Sequence, residues 1–309
     1  MVIKLTINNT FKQKRKKVQN FNSGNVDGDI YNGMYIPKRF RNAVLKHLLL
    51  NYSSNFNNFS PPLLLGIQGP MGEGKSFMIK QICQHYDINC ILISGAELCG
   101  KNEGDSIKKL DDTYKNTSVE AHVNRNFHCI VIDDFHKSIA ASEQQNVNRT
   151  SNSDTLVGRL MNLADHPYVV DNRIPIILTA NTFATTYSPL LRNGRMELFE
   201  WTPNISEKEV IVYHIFKKYY PDIKSDVIKQ LVSEYKDYYV AFFQSIAQDL
   251  FWKDCYSTID HFYEKRENLN LDNITDFVKD GISTNCDLSL DNLLRLADER
   301  SKNIPKRYD

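Results

Sequence analysis

The octapeptide GPMGEGKS, Gly69 to Ser76, constrains the fold of this 309-residue chain more than any other stretch. It fits the spacing G-x-x-x-x-G-K-[ST], and its flanks matter as much as its letters. The apolar run LLLGI (Leu63 to Ile67) precedes it, and the helical pattern SFMIKQICQHY follows. Glycines at such positions let successive backbone N–H groups turn inward around an anion. A helix starting at the same point aims its positive end there. An apolar strand feeding a helix through a phosphate-sized turn predicts a parallel sheet with helices on both faces.

The rest of the first two hundred residues keeps that alternation. CILIS (Cys90 to Ser94) reads as a second strand, CIVID (Cys129 to Asp133) as a third and PIILTA (Pro175 to Ala180) as a fourth. Helical patterns SIKKLDDTYKN and TLVGRLMNLAD stand between them, and RFRNAVLKHLLLNY precedes the first strand. Past Trp201 the strands stop. Ser206 and Glu209 read as a capping box ahead of VIVYHIFKKYY, and DVIKQLVSEY, VAFFQSIAQDLFW and LDNLLRLADER continue as helices. The expected organisation is a polar N-terminal arm over residues 1–30, an α/β domain over 31–202 and a smaller helical domain over 203–309. The arm carries the basic cluster KQKRKK, Lys12 to Lys17.

Composition narrows the function classes. A formal net charge of +1 leaves no global field to recruit nucleic acid, and the core shows no basic stripe. No apolar run approaches the ~20 residues that span a bilayer, and the N-terminus has no secretory pattern. The six cysteines show neither CxxC nor zinc-like spacing, so they read as free thiols in a reducing compartment. The expectation is a soluble intracellular protein, cytoplasmic or in a plastid stroma, with no nucleic-acid or membrane partner.

The chemistry follows from the loop and three later segments. Gly69, Pro70, Met71, Gly72, Glu73, Gly74, Lys75, Ser76 and Phe77 form the candidate nucleotide-binding stretch. Lys75 is placed to reach the β and γ phosphates of ATP, and Ser76 to ligate Mg²⁺. IVIDDF ends a buried strand in two carboxylates, which is costly unless they meet a cation. Asp133 is then the second Mg²⁺ group, and Asp134 the residue that polarises the attacking water. Asn181, just after PIILTA, is placed to orient the same water. In SPLLRNGRMELFEW, Arg192 and Arg195 stand three residues apart. Two guanidiniums this close repel unless each meets an anion, so the segment poses the question of which anion.

In the order phosphate loop, acidic strand end, polar Asn and R-x-G-R, the chain resembles AAA+ ATPases. That resemblance implies arginine fingers offered to a nucleotide bound by a neighbouring subunit. It is closer still to Rubisco activases, carried by NGMYIPKRFRNAVLKHL, LLLGIQGPMGEGKSF, ISGAELCGKNEGD, LMNLADHP and PIILTANTFATTYSPLLRNGRMELFEWTP. The resemblance implies an AAA+ α/β domain with a helical lid, ATP and Mg²⁺ as cofactors, a homo-oligomeric ring (a hexamer) and Rubisco as client. Asp134 and Asn181 would be catalytic, with Arg192 and Arg195 as fingers. Loops at Cys99 to Gly104 and Lys137 to Asn152 would face the pore. Two departures stand out: no Arg follows Phe242-Phe243 in the lid, and ASEQQNVNRTSNSD lacks the glycine-rich run of the second pore loop. A different protein client, or a nucleotide-gated scaffold, are the alternatives these departures leave open.

Overall fold

The computed structural model describes residues 27–54, 60–98, 104–136, 148–165, 173–183, 189–192, 194–251 and 286–302. The basic cluster at Lys12–Lys17, most of the first expected pore loop and the first part of the second lie outside them.

A five-stranded parallel sheet organises the first part of the chain. Its strands are β3 (Leu64–Gln68), β4 (Asn89–Ser94), β5 (His128–Asp133), β6 (Ile176–Ala180) and β7 (Met196–Glu200), in the order β4-β5-β6-β3-β7. Four were expected. The fifth, MELFE, has the alternating burial of an edge strand rather than an apolar run, so it lacks the signal that marks the other four. It pairs with β3 from Leu64↔Met196 to Gln68↔Glu200.

Side-chain alternation splits the sheet between two cores. In β5, Cys129 and Val131 face one side with Leu65, Ile67 and Ile177; Ile130 and Ile132 face the other with Leu64, Ile176 and Leu178. Helices α1 (Lys38–Ser54) and α2 (Lys75–His85) cover the first face. Helices α3 (Asp105–Asn124) and α4 (Asn148–Asp165) cover the second. Each fully buried Ile or Val contributes roughly 1.5–3 kcal/mol, so a strand such as β5 is held from both sides.

A hairpin precedes α1, formed by β1 (Gly28–Tyr31) and β2 (Met34–Pro37). The sequence reading assigned its first residues to the polar arm. The overlooked signal is Asn32-Gly33, whose positive φ values of 50° and 80° build the tight turn.

Among the described residues the helical part contains α5 (Ile205–Tyr219), α6 (Ser225–Glu234), α7 (residues 240–251) and α8 (Leu290–Ser301). Helix α5 starts two residues earlier than expected. Its capping box is Asn204 with Glu207, not Ser206 with Glu209: the Asn204 side chain accepts from the Glu207 amide at 2.9 Å, and Glu207 returns the bond at 3.0 Å. Glu207 also receives a bidentate pair from Arg39 of α1, at 2.8 Å on both oxygens. Glu207 is thereby held by Asn204 and Arg39 together, which supports the cap two residues earlier. Lys208, only 1% exposed, donates to the Lys236 and Tyr238 carbonyls at 2.7 Å and ties α5 to the approach to α7.

The hairpin docks on α5 through a histidine. The His214 ring stacks on Tyr35 with centroids 6.1 Å apart, and its Nδ1 lies 3.2 Å from the Gly33 carbonyl oxygen. Burial pushes the His214 pKa down to about 4. An unfolded chain titrates this ring near its ordinary value, so below about pH 6.5 the unfolded state binds a proton that the folded state refuses. Stability therefore falls as pH falls from about 6.5 toward 4, by up to about 1.4 kcal/mol per unit for this group. Buried His47, held down at about 3, adds a slope of the same sign. His214→Gln should flatten, without abolishing, the pH dependence of the urea unfolding midpoint between pH 6.5 and 4.5. An unchanged slope would assign that dependence to other groups.

Candidate nucleotide-binding site

Strands β3, β5 and β6 are parallel neighbours, so Gln68, Asp133 and Ala180 end at one edge of the sheet. In an open parallel sheet this carboxyl edge is where ligands bind. The loop Gly69 to Gly74 leaves β3 there and enters α2 at Lys75. Its first residue is fixed from two sides. The Gly69 amide is shared between the Ala180 and Asn181 carbonyls at 3.2 Å each. A Cβ at Gly69 would lie 1.8 Å from the Trp201 carbonyl oxygen, so only glycine fits.

Trp201 is fully buried and reaches the same loop with its side chain: the indole Nε1 donates to the Glu73 carbonyl at 2.8 Å. Its backbone amide donates to Gln68 at 2.7 Å, continuing the pairing of β7 with β3. Phe40 meets the indole edge-on at 4.9 Å, and the Arg39 guanidinium covers it at 4.5 Å.

The Lys75 side chain folds toward its own loop, donating to the Gly69 and Pro70 carbonyls at 2.6 and 2.8 Å. Burial lowers its pKa below the ordinary lysine value, against the pull of the Asp134, Glu73 and Asp133 carboxylates. The ammonium thus sits in a low-dielectric cradle with anionic groups around it. Beside it, the Ser76 hydroxyl donates to Asp133 Oδ1. The Thr179 hydroxyl donates to the same oxygen at 2.6 Å and accepts from the Asp134 amide at 3.0 Å. Asp134 is held at φ 54°, a left-handed conformation that Asp tolerates better than most residues. The Gly95 backbone packs against it, where a Cβ would come within 2.3 Å of the Asp134 carbonyl oxygen.

The loop's other residues divide. Met71 is 64% exposed and Phe77 is 44% exposed. Glu73 is 1% exposed, and its carboxylate turns to α7, accepting from the Val240 amide at 3.3 Å. The Ala241 amide donates to the Gly72 carbonyl at 2.9 Å, and a Cβ at Gly72 (φ 79°) would lie 3.2 Å from both the Ala241 and Tyr239 Cβ atoms. The start of α7 is therefore fastened to the loop. Between them opens a cavity of about 250 Å³, walled by Met34 and Tyr35 of β2, Phe77 and Met78 of α2, Ile211 of α5 and Val240 of α7. Its lining is mainly apolar. Gln244 of α7 and Lys218 of α5 add polar ends.

Asn181 follows β6, exposed at the carboxyl edge between the loop and Asp133. The two arginines are not equivalent. Arg195 is spoken for within its own chain: Nε and Nη2 grip both oxygens of Asp165, at 2.8 and 2.6 Å, and Nη1 donates to the Pro189 carbonyl at 2.9 Å. The Asp165 hydrogen bonds push the Arg195 pKa up. Arg192 is exposed. One of the two anions that the sequence left open is thus a carboxylate at the end of α4.

Sequence reasoning missed Thr179, Trp201 and Asp165. Thr179 is the one hydroxyl in an otherwise apolar strand, a signal that was available. Nothing local marks Asp165 as the partner of a residue thirty positions on.

Residues 65–204 match the model of the ATPase family associated with various cellular activities (AAA). The chain is 32% identical over 227 residues to the ribulose bisphosphate carboxylase/oxygenase activase of a Nostoc species, covering 70% of this chain and 54% of that one. The chloroplastic activase of Zea mays is 32% identical over 71% of this chain and 52% of its own. That of Arabidopsis thaliana is 31% identical over 72% and 48%. This chain spans about half the length of these relatives. The sheet order, the loop before α2, the helices that follow and these similarities make it a Rubisco activase-like member of the AAA+ ATPases.

Proposed function

We propose that the chain hydrolyses ATP with Mg²⁺ and uses the cycle, as a closed ring, to remodel a protein client, with Rubisco freed of inhibitory sugar phosphates as the leading candidate. The observation that carries the catalytic part is the joint hold of Ser76 and Thr179 on one oxygen of Asp133, next to a buried Lys75. A hydroxyl and a carboxylate side by side at the start of α2 are the donor set that a hard, oxygen-seeking Mg²⁺ takes. The glycine-backed loop and the Lys75 ammonium suit a polyphosphate. When bound, Mg²⁺ neutralises charge on the β and γ phosphates.

The places of this chain's residues support the following roles. Lys75 exchanges its loop carbonyls for phosphate oxygens. Asp134, held in its left-handed conformation by Thr179 and Gly95, presents a carboxylate to polarise water, and Asn181 orients that water from the adjacent strand. The apolar cavity between β2, α2, α5 and α7 accepts the purine ring. Arg192 is free to reach a nucleotide held by a neighbouring subunit, whereas Arg195 positions the segment that carries it. Closed symmetry gives every subunit such a neighbour, which is the argument for a ring, a hexamer by resemblance. The client is carried by the similarity to activases alone.

A second reading, a nucleotide-gated scaffold with slow turnover, is favoured by one observation. Helix α7 presents Gln244 to the cavity and contains no basic residue over 240–251. Fewer cationic groups then distinguish ATP from ADP. Calorimetry should show similar affinities for the two, and a large preference for ATP would assign the missing role to another group. Phosphate release with and without Rubisco decides between the readings. Rubisco-stimulated turnover and recovery of carboxylation by sugar-phosphate-inhibited Rubisco support the first, and turnover without such recovery leaves another client.

Lys75→Ala should abolish phosphate release and weaken nucleotide affinity, because it removes a charge that acts on the bound phosphates themselves. Unchanged turnover would refute the site. Glu73→Gln should keep nucleotide binding while loosening α7 from the loop, read as faster amide exchange at Val240 and Ala241.

The arginines separate by partner. Arg192→Ala should cut turnover by about 10³-fold or more with nucleotide affinity nearly intact, since a finger acts on charge that develops in the transition state. Asp165→Asn should reproduce part of the Arg195→Ala defect but leave an Arg192→Ala chain no worse. Mixing Arg192→Ala with Lys75→Ala subunits should restore partial activity. If mixed rings form and stay inactive, Arg192 does not act across an interface.

A further inference from the structure

Away from the nucleotide site, three elements bring three cysteines together. Cys83 lies two residues before the end of α2, Cys90 near the start of β4 and Cys129 near the start of β5. The chain gets from α2 to β4 through a tight connection in which Asp87 takes φ 56° and the Ile88 amide donates to the Cys83 carbonyl at 2.8 Å. That turn lays Cys90 back beneath Cys83. Cys90 and Cys129 are direct partners in the parallel pairing of β4 with β5, so their side chains leave the same face of the sheet, the face that α2 covers. The three Sγ atoms all lie within 4.8 Å of one another, and Cys83 and Cys129 are 3.6 Å apart.

Those spacings can be compared with what a metal ion needs. With metal–sulfur bonds of about 2.3 Å, a flat three-coordinate centre sets its sulfurs ~4.0 Å apart, and a tetrahedral one ~3.8 Å apart. A disulfide needs ~2.05 Å, and all three thiols are free. Among the described residues the group contains no fourth Cys, His, Asp or Glu. Three thiolate donors with no fourth side-chain ligand among the described residues suit the soft monovalent Cu(I) in a three-coordinate centre, whereas Zn²⁺ would need a water in its fourth position. The surroundings agree. Cys83 and Cys129 are buried in the same apolar core as Ile79, Ile82 and Val131, while half-buried Cys90 leaves a route of entry. The Lys80 charge acts on Cys90 and offsets part of the negative charge of a thiolate set.

We propose that Cys83, Cys90 and Cys129 form a three-coordinate thiolate site for Cu(I), fastening the C-terminal end of α2 to β4 and β5. Binding displaces thiol protons to solvent and transfers no electrons, so no oxidant or reductant takes part. The spacing in sequence hides the site, because 83, 90 and 129 follow no local motif: two come from either side of a helix–strand turn and the third from the neighbouring strand. Nothing in this assignment depends on the nucleotide chemistry proposed above.

The test uses the full chain, reduced and desalted without oxygen, with Cys99, Cys255 and Cys286 replaced by Ser so that only the three cluster thiols remain. Cu(I) is supplied from a coloured chelator complex, and Zn²⁺ is titrated separately against a zinc indicator. The expected result is one Cu(I) withdrawn per chain, with sulfur-to-copper absorption, all three thiols protected from alkylation and an increased unfolding temperature. Cys90→Ser, at the least buried of the three positions, should weaken Cu(I) binding by at least about tenfold, the lower range seen even for lost outer-shell partners. Its circular dichroism should match the parent, and thiol protection in the parent chain reads the site without any substitution. Failure to withdraw Cu(I), binding unaffected by Cys90→Ser, or uptake of Zn²⁺ alone would each overturn the assignment.

Discussion

The loop from Gly69 to Gly74 keeps its shape because Trp201 is buried beside it. The indole donates to Glu73, the backbone carbonyl closes on Gly69 and the amide extends β7 against Gln68. One residue thus holds both ends of the loop and the edge strand. Its own position is set by Phe40 and Arg39 from α1, and Arg39 in turn grips Glu207 in the cap of α5. A buried aromatic with a satisfied N–H contributes area and direction at once. Strip the indole away and the loop loses the donor to its Glu73 carbonyl, and Phe40 and Arg39 the surface against which they pack.

Around that anchor, polar side chains link elements that hydrophobic burial alone would leave free to shift. The Glu73 carboxylate accepts from the Val240 amide at the start of α7, where a helix favours negative charge. Lys208 satisfies two carbonyls just before the same helix. Asp165 holds Arg195 at the far side of the sheet. Each of these pairs joins segments well separated in sequence. Together they set where the cavity walls, the loop and the exposed Arg192 stand relative to one another.

Much of this was legible in the sequence, for reasons particular to each element. The four expected strands announced themselves as short apolar runs: β3, β5 and β6 because both their faces are covered, and β4 through its isoleucines and leucine although it stands at an edge. GPMGEGKS announced its turn through glycines, and Asp133 through a carboxylate at the end of a buried run. β7 did not, since an edge strand alternates and MELFE is too short for the alternation to stand out. The α5 cap was misplaced by two residues because Ser206/Glu209 and Asn204/Glu207 have the same local signature. The choice was made by Arg39, 168 positions away from Glu207. The difference between Arg192 and Arg195 was invisible for the same reason: their types are identical and only a distant carboxylate distinguishes them.

The Thr179 hydroxyl has a further consequence for how the sheet comes together. CIVID and IILTA are both apolar on both faces, so sliding one past the other by two residues would bury nearly the same surface. Hydrophobic burial penalises an odd slip, which turns each side chain to the wrong face, but it barely penalises an even one. Thr179 breaks that degeneracy, because only the native alignment lets its hydroxyl reach both the Asp133 carboxylate and the Asp134 amide. The pairing Ile130↔Ile176 is then the one alignment in which no polar group is stranded among the isoleucines. A single hydroxyl acts as the key that tells two nearly interchangeable strands where to stop.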